Sequence, residues 1–138
     1  MTPGNVPIPP GDRWDPWAVQ VARYVADGFD HLDLLTAVDR PRDGGIEVVI
    51  HLVRRLDGTR VFGHTFLDRE HAVLASVTDV LPAAAWHERE IAEMFGVRVE
   101  GHADMRPLLL HVPVAGPPLR KDVPLVAREE LPWPGAKR

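Results

Sequence analysis

"AAAWHEREIAEMFGVRVEGHADMRPLLL", Ala83 to Leu110, decides the fold, because it reads as a helix built to pack and yet carries a dense set of charges. Pro82 stands where a helix opens and Gly96 where it ends. Around the helical wheel Ala84, Ile91 and Phe95 share one stripe, with Met94 beside it, so one face is made for burial. Arg89 and Glu93 point away and stand four residues apart, a pair worth about 0.3–0.5 kcal/mol. Glu88 lies at the edge of the apolar stripe, where an unpaired carboxylate is costly, so it must be paired or reach water. Trp86 and Glu90 occupy another side. A large aromatic off the core face and flanked by charge suits a protein interface, and equally a cover for the edge of the domain's own sheet.

Beyond the helix "VRVE" reads as a short strand, and Gly101 turns the chain toward His102 and Arg106. The planar fork of Arg106 fits the carboxylate of Glu88 or Glu90. Three readings compete for this cluster: a salt-bridge network holding the domain, the same network facing a partner, or a reactive site. Structural ion pairs perturb charges as catalytic groups do, and the structural reading leads.

Working back from the helix, "DREHAVLASVTDVLP" is open between a short helix begun by Asp68 and an extended "AVLASVT". Earlier the pattern is plain. "IEVVIHLVRR" alternates Ile46, Val48, Ile50 and Leu52 against Glu47, Val49 and His51, which is a strand. Asp57-Gly58 then makes a tight turn into "RVFGHTFL", so Ile46 to Leu67 is an antiparallel hairpin. "RPRDGG" is turn chemistry, and "FDHLDLLTAVD" before it is a further strand with Leu32 and Leu34 alternating. A first helix is capped by Asp15, opened by Pro16 and closed by Gly28, with Trp17, Val21, Tyr24 and Val25 at helical spacing.

The sequence therefore predicts an α+β fold. Its helices pack on one face of a small, mostly antiparallel sheet, followed by an irregular, proline-rich C-terminal tail. Residues 1–11 hold four prolines and two glycines and read as a flexible arm. Residues 12–110 form the domain. Prolines at 107, 113, 117, 118, 124, 132 and 134 forbid long elements later on, so residues 111–138 read as an extended tail that needs a surface to cover.

Composition narrows the function classes. The 138 residues are 45% hydrophobic and 26% charged, ordinary for one globular domain. A net charge of -4 argues against nucleic acid as a partner. With no cysteine, the chain's own thiolates hold no iron–sulfur cluster or zinc. No run approaches a membrane span and the N-terminus lacks the pattern of a signal peptide, so the expectation is a cytoplasmic chain, peripheral to a membrane at most.

Self-contained active-site motifs fail in turn. In "WHERE" the position four after His87 is Ile91, so the helix lacks the H-E-x-x-H pair. His64 and His71 stand seven apart across an open element boundary, and a proline separates His102 from His111. There is no G-x-G-x-x-G, no phosphate loop and no G-x-S-x-G, with Ser76 sitting in "LASVT". No catalytic, cofactor-binding or metal-binding residue is expected in this chain.

The residues do resemble a family signature. That pattern is E-R-E, two residues, an acid, two apolar residues, six more, His or Lys, three more, Arg. Here Glu88-Arg89-Glu90, Glu93, Met94-Phe95, His102 and Arg106 fill it, with Gly96 and Gly101 between. It is similar to the thirty-kilodalton subunit of respiratory complex I, also called the C subunit of NADH-quinone oxidoreductase. "SVTDVLPAAAW" before it and "GPPLRKDVPL", Gly116 to Leu125, resemble the family's flanking segments, and the likeness covers about residues 29–125. Glu93 where aspartate is common, Ala103 and Pro107 after His102 and Arg106, and Val123 for a phenylalanine depart from the pattern.

The resemblance implies a non-catalytic subunit on the cytoplasmic arm of a proton-pumping complex, peripheral to the cell membrane. NADH, FMN, Fe-S clusters and quinone would belong to the assembled complex. The partner implied is the large quinone-site subunit, the forty-nine-kilodalton type. Trp86, Pro118, Leu119, Arg120, Lys121 and Asp122 would dock on it, while Glu88 and Glu90 pair with Arg89, Arg106 or Arg120. Membrane-bound [NiFe] hydrogenases and ferredoxin-linked complexes carry an equivalent subunit, which is the alternative.

Overall fold

The computed structural model describes residues 17–112 and 114–124. Helix α1 spans Trp17–Ala26. Its start signals, Asp15 and Pro16, and the arm over 1–11 lie outside the described residues, as does the tail beyond 124. Trp17 and Val21 are buried, with Tyr24 and Val25 packed beside them, as their helical spacing requires.

Strands β1 (His31–Arg40), β2 (Gly45–Val53) and β3 (Arg60–Asp68) form an antiparallel sheet in that order. On β2 the residues Ile46, Val48, Ile50 and Leu52 are completely buried. They pair with Leu67, Thr65, Gly63 and Val61 of β3, and with Asp39, Ala37, Leu35 and Leu32 of β1. That register defines the inner face of the sheet. Helix α1 lies against it at Gly63, where an added Cβ would stand 2.9 Å from the Tyr24 ring and 3.2 Å from the Gln20 side chain. Glycine is what lets the helix approach so closely. Helix α2, Ala85–Phe95, packs against β1. Both helices therefore sit on one face of the sheet, as expected.

The alternation expected at Leu32 and Leu34 fails for a defined reason. Leu32 pairs with Leu52 and Leu34 with His51, so Asp33 is an extra residue, a β-bulge. The bulge sends Leu34 to the outer face, where it is exposed. It also brings the Asp33 carboxylate to 2.6 Å from His51 Nδ1. His51 stacks on Phe62 across the outer face, with ring centroids 4.2 Å apart.

The ambiguous stretch after β3 is extended. Asp68 accepts the N–H groups of Glu70 and His71, which makes a turn, not a helix start. Strand β4 (Val73–Ala75) then pairs in parallel with β5 (Arg98–Glu100), the short strand expected after α2. A single 3₁₀ turn over Pro82–Ala84 leads into α2. No helix among the described residues is long and apolar enough to cross a membrane.

Candidate functional site

Glu88, Arg89 and Glu93 of α2 act on backbone and hydroxyl groups, not on one another. Glu88 is 0% exposed. Its carboxylate accepts the Ser76 hydroxyl at 2.6 Å and the Val77 N–H at 2.7 Å, which ties α2 to the turn after β4. Thr78 supports Ser76 at 2.8 Å. Burial pushes the Glu88 pKa up, against the opposing pull of those two hydrogen bonds and of His102.

Arg89 and Glu93, one turn apart, hold the loop that follows β5. Arg89 Nε donates to the Arg106 carbonyl at 2.9 Å and its terminal nitrogen to the Pro107 carbonyl at 3.0 Å. Glu93 accepts the N–H groups of Leu108 at 3.3 Å, Leu109 at 2.7 Å and Leu110 at 3.0 Å. Those amides, Leu109 foremost, hold its carboxyl below the usual range. The proline-broken loop cannot satisfy its own backbone, so the two side chains do it. His102 is fixed in the same way. Its Nε2 lies 2.9 Å from the Ala85 carbonyl and its Nδ1 accepts the Asp104 N–H at 3.0 Å, which assigns the proton to Nε2. Arg106 forks onto Asp104 at 2.8 and 2.6 Å and holds that carboxyl far below the usual range.

The expected ion pairs are thereby corrected. Arg106 meets Asp104 and not Glu88 or Glu90, because a partner two residues away closes its fork first. Arg89 and Glu93 make no pair with each other, since each is committed to the loop. Arg120 pairs with neither Glu88 nor Glu90, and its Nε donates to the Phe95 carbonyl at 2.6 Å.

That last bond belongs to a strap over residues 117–122. Leu119 N–H donates to the Met94 carbonyl at 3.0 Å, so Met94 and Phe95, whose carbonyls the helix cannot satisfy, are capped by the strap. Gly96 takes the left-handed conformation (φ 68°) and its N–H bonds to Ala92. Lys121 N–H donates to Asp39 Oδ2 at 2.7 Å. Arg69 binds the other oxygen of Asp39 and also Asp122, at 2.9 Å. Residues 119–122 of the expected tail are thus bonded to α2, to β1 and to Arg69. Pro118 and Arg120 are half-buried against their own domain, while Leu119, Lys121 and Asp122 keep exposed side chains.

Two residues of α2 point elsewhere. Trp86 is 69% exposed. Glu90 is half-buried and makes no hydrogen bond or ion pair among the described residues. An open cavity of about 220 Å³ lies beside Arg89, Ala92, Glu93, Met105, Arg106 and Pro107. Sequence reasoning missed Asp39, Arg69, Ser76 and Asp104. Asp39 was the legible one, a carboxylate on the apolar face of a strand.

Residues 14–129 match the family described as "Respiratory-chain NADH dehydrogenase, 30 Kd subunit". The chain belongs to this family. Among its relatives it is 42% identical over 104 residues to the C subunit of NADH-quinone oxidoreductase from Jannaschia sp. (strain CCS1), covering 75% of this chain and 50% of that protein. It is 38% identical over 117 residues to subunit 5 of the Thermus thermophilus enzyme, covering 77% of this chain and 56% of the relative. The chain thus spans about half the length of these relatives. Its fold matches a solved trypsin-resistant fragment of Nqo5 with a TM-score of 0.59 at 33% identity, covering 64% of this chain and 74% of that one. It also matches a chain of a membrane-bound sulfane sulfur reductase, an archaeal respiratory membrane complex, with a TM-score of 0.65 at 30% identity, covering 78% and 68%.

Proposed function

We propose that this chain is a non-catalytic structural subunit of the peripheral, cytoplasmic arm of a proton-translocating NADH:quinone oxidoreductase. The observation that carries this reading is where the signature spends its charge. Glu88, Arg89, Glu93 and His102 all bind backbone or hydroxyl groups of their own domain, so they fix the turn after β4 and the loop that follows β5. In this reading electron transfer from NADH through FMN and iron–sulfur centres to quinone takes place in other subunits. The chain docks on the large quinone-site subunit of the forty-nine-kilodalton type. Trp86 and the outward side chains of Leu119, Lys121 and Asp122 offer the surface.

In a second reading the same scaffold serves a membrane-bound [NiFe] hydrogenase or a ferredoxin-linked complex; the likeness to a chain of a sulfane sulfur reductase supports only that the scaffold also occurs in another kind of respiratory membrane complex. Purifying the affinity-tagged chain from its native membranes in mild detergent separates them. Recovery of NADH-oxidising flavoprotein and quinone-site subunits supports the first. A nickel–iron large subunit without an NADH module supports the second, and a chain emerging alone overturns both.

A further inference from the structure

Glu90 is the one acid of the E-R-E signature helix that the fold does not use. Glu88 is committed to Ser76 and Val77, and Glu93 to the amides of Leu108, Leu109 and Leu110. Glu90 has no partner among the described residues although it is half-buried. Trp86, 69% exposed, stands one turn before it on the same side of α2. At that spacing two helical side chains are neighbours, with Cβ atoms about 5–6 Å apart. Ala83, a further turn toward the N-terminus, is exposed too. His87, three residues before Glu90, makes no ion pair with it.

We propose that Trp86 and Glu90 together receive an arginine side chain from a neighbouring subunit. The guanidinium lies on the indole face and donates two parallel hydrogen bonds to the carboxylate. This rests on the structural-subunit reading and deepens it. The chemistry selects the occupant. A docked partner removes the remaining water from Glu90, and an apolar lid would leave a buried charge unpaired. A second copy of the chain whose two-fold axis passed beside Glu90 would set that carboxylate near its own image, like charge against like. An ammonium matches the charge, but it is more strongly hydrated and lacks a planar fork. A guanidinium stacks on an aromatic ring and binds a carboxylate in two places. Tryptophan and arginine are also the residues that concentrate binding energy at protein interfaces.

The test uses the full chain in its native complex, with a photo-crosslinking residue at Ala83, which leaves Trp86 and Glu90 in place. The expected product joins this chain to one neighbouring subunit, in a peptide that contains an arginine. Glu90→Gln and Trp86→Leu should each weaken retention of the chain in the complex, Glu90→Gln by roughly 30-fold, the loss expected for truncating one side of a desolvated charge pair. Glu90→Arg should release the chain, and the reciprocal Arg→Glu change at the cross-linked arginine should restore it. A cross-linked peptide without an arginine, a Glu90→Gln complex as stable as the wild type, or a charge swap that fails to restore binding would each overturn the receptor. A wild-type chain that leaves the membrane with no respiratory subunit would instead overturn the function on which the receptor rests.

Discussion

The backbone N–H of Lys121 reaches Asp39 across 82 positions of sequence, at 2.7 Å. Asp39 lies on the inner face of β1 and is 2% exposed. Arg69 holds its other oxygen and reaches on to Asp122, so a carboxylate in the core is matched on both sides by groups from two distant segments. Asp39→Ala would leave the Arg69 guanidinium without its buried partner and the Lys121 N–H without an acceptor. The expected cost is about 2–4 kcal/mol, read as a drop in the urea midpoint. Trypsin should cut after Arg120 and Lys121 well before the rest of the domain opens. If cleavage there proceeds at the wild-type rate, the strap is held by something other than Asp39.

Glu88 gives the opposite pH behaviour from Glu93 and Asp104, whose carboxyls are held below their usual range. Its folded-state pKa is raised above the ordinary value of 4.5, with burial as the chief cause. Its stabilising contribution is therefore fully present below that unfolded value and is lost as pH rises through the folded pKa. Glu88→Gln removes this titration. The difference in unfolding free energy between wild type and Glu88→Gln should move against the wild type as pH climbs from about 4 toward neutrality. Glu88→Ala should cost about 2–4 kcal/mol at neutral pH, because Val77 N–H and Ser76 lose their acceptor and a cavity opens. A difference curve flat in pH would remove the buried ionised carboxylate from the account.

Glu93 titrates with the other sign. The amides of Leu109, Leu110 and Leu108 hold its pKa below 4.5. The contribution is present above the unfolded value and is lost as pH falls through the folded pKa. Glu93→Gln sets an amide nitrogen, which cannot accept, against one or two of the three backbone donors. The protection factors of the Leu108, Leu109 and Leu110 amides, each taken against its intrinsic exchange rate at the same pH, should fall in that variant, and in the wild type at acid pH, while those in β2 stay high. Unchanged protection of those three amides would show that Arg89 alone positions the loop.

Much of the scaffold was readable because it rests on patterns that tertiary contacts do not disturb. Ile46, Val48, Ile50 and Leu52 alternate on a central strand, Asp57-Gly58 falls between the paired strands, and Ala84, Ile91 and Phe95 face the core from the second helix. What was not readable depends on a residue's competitors. Asp33 adds one residue to β1 and reverses the face of Leu34, and a single alternating sequence carries no mark of the insertion. Arg89 and Glu93 stand at pairing distance on a helix, yet an exposed ion pair is weak beside unsatisfied amides and carbonyls. The loop after Gly101 supplies such groups because its prolines and turns deny it internal partners. The strap was legible as a segment in need of a surface, but nothing in "GPPLRKDVPL" says that the surface is its own helix terminus. Glu90 is the reverse case, since only the finished hydrogen-bond pattern shows that it is left over.

Gly96 joins the end of α2 to the strap. Its φ of 68° is the left-handed conformation, which glycine adopts readily and other residues adopt at a cost of about 1–2 kcal/mol. The Cβ of an alanine would also stand 2.6 Å from Pro117 Cγ, and the Arg120 guanidinium lies 3.5 Å away. Pro117 cannot move aside without shifting Leu119 and Arg120, which cap the Met94 and Phe95 carbonyls. Gly96→Ala should therefore cost more than the backbone term alone, and it should loosen residues 117–122 selectively. The comparison that checks this is Gly58→Ala, which has a similar φ of 74° but nothing within 4 Å of the added carbon. Gly58→Ala should lower stability by the backbone term and leave tryptic cleavage after Arg120 and Lys121 unchanged, while Gly96→Ala should lower stability further and speed that cleavage. Equal losses in the two variants would mean that Pro117 and the strap move aside at no cost, and that the helix end does not depend on them.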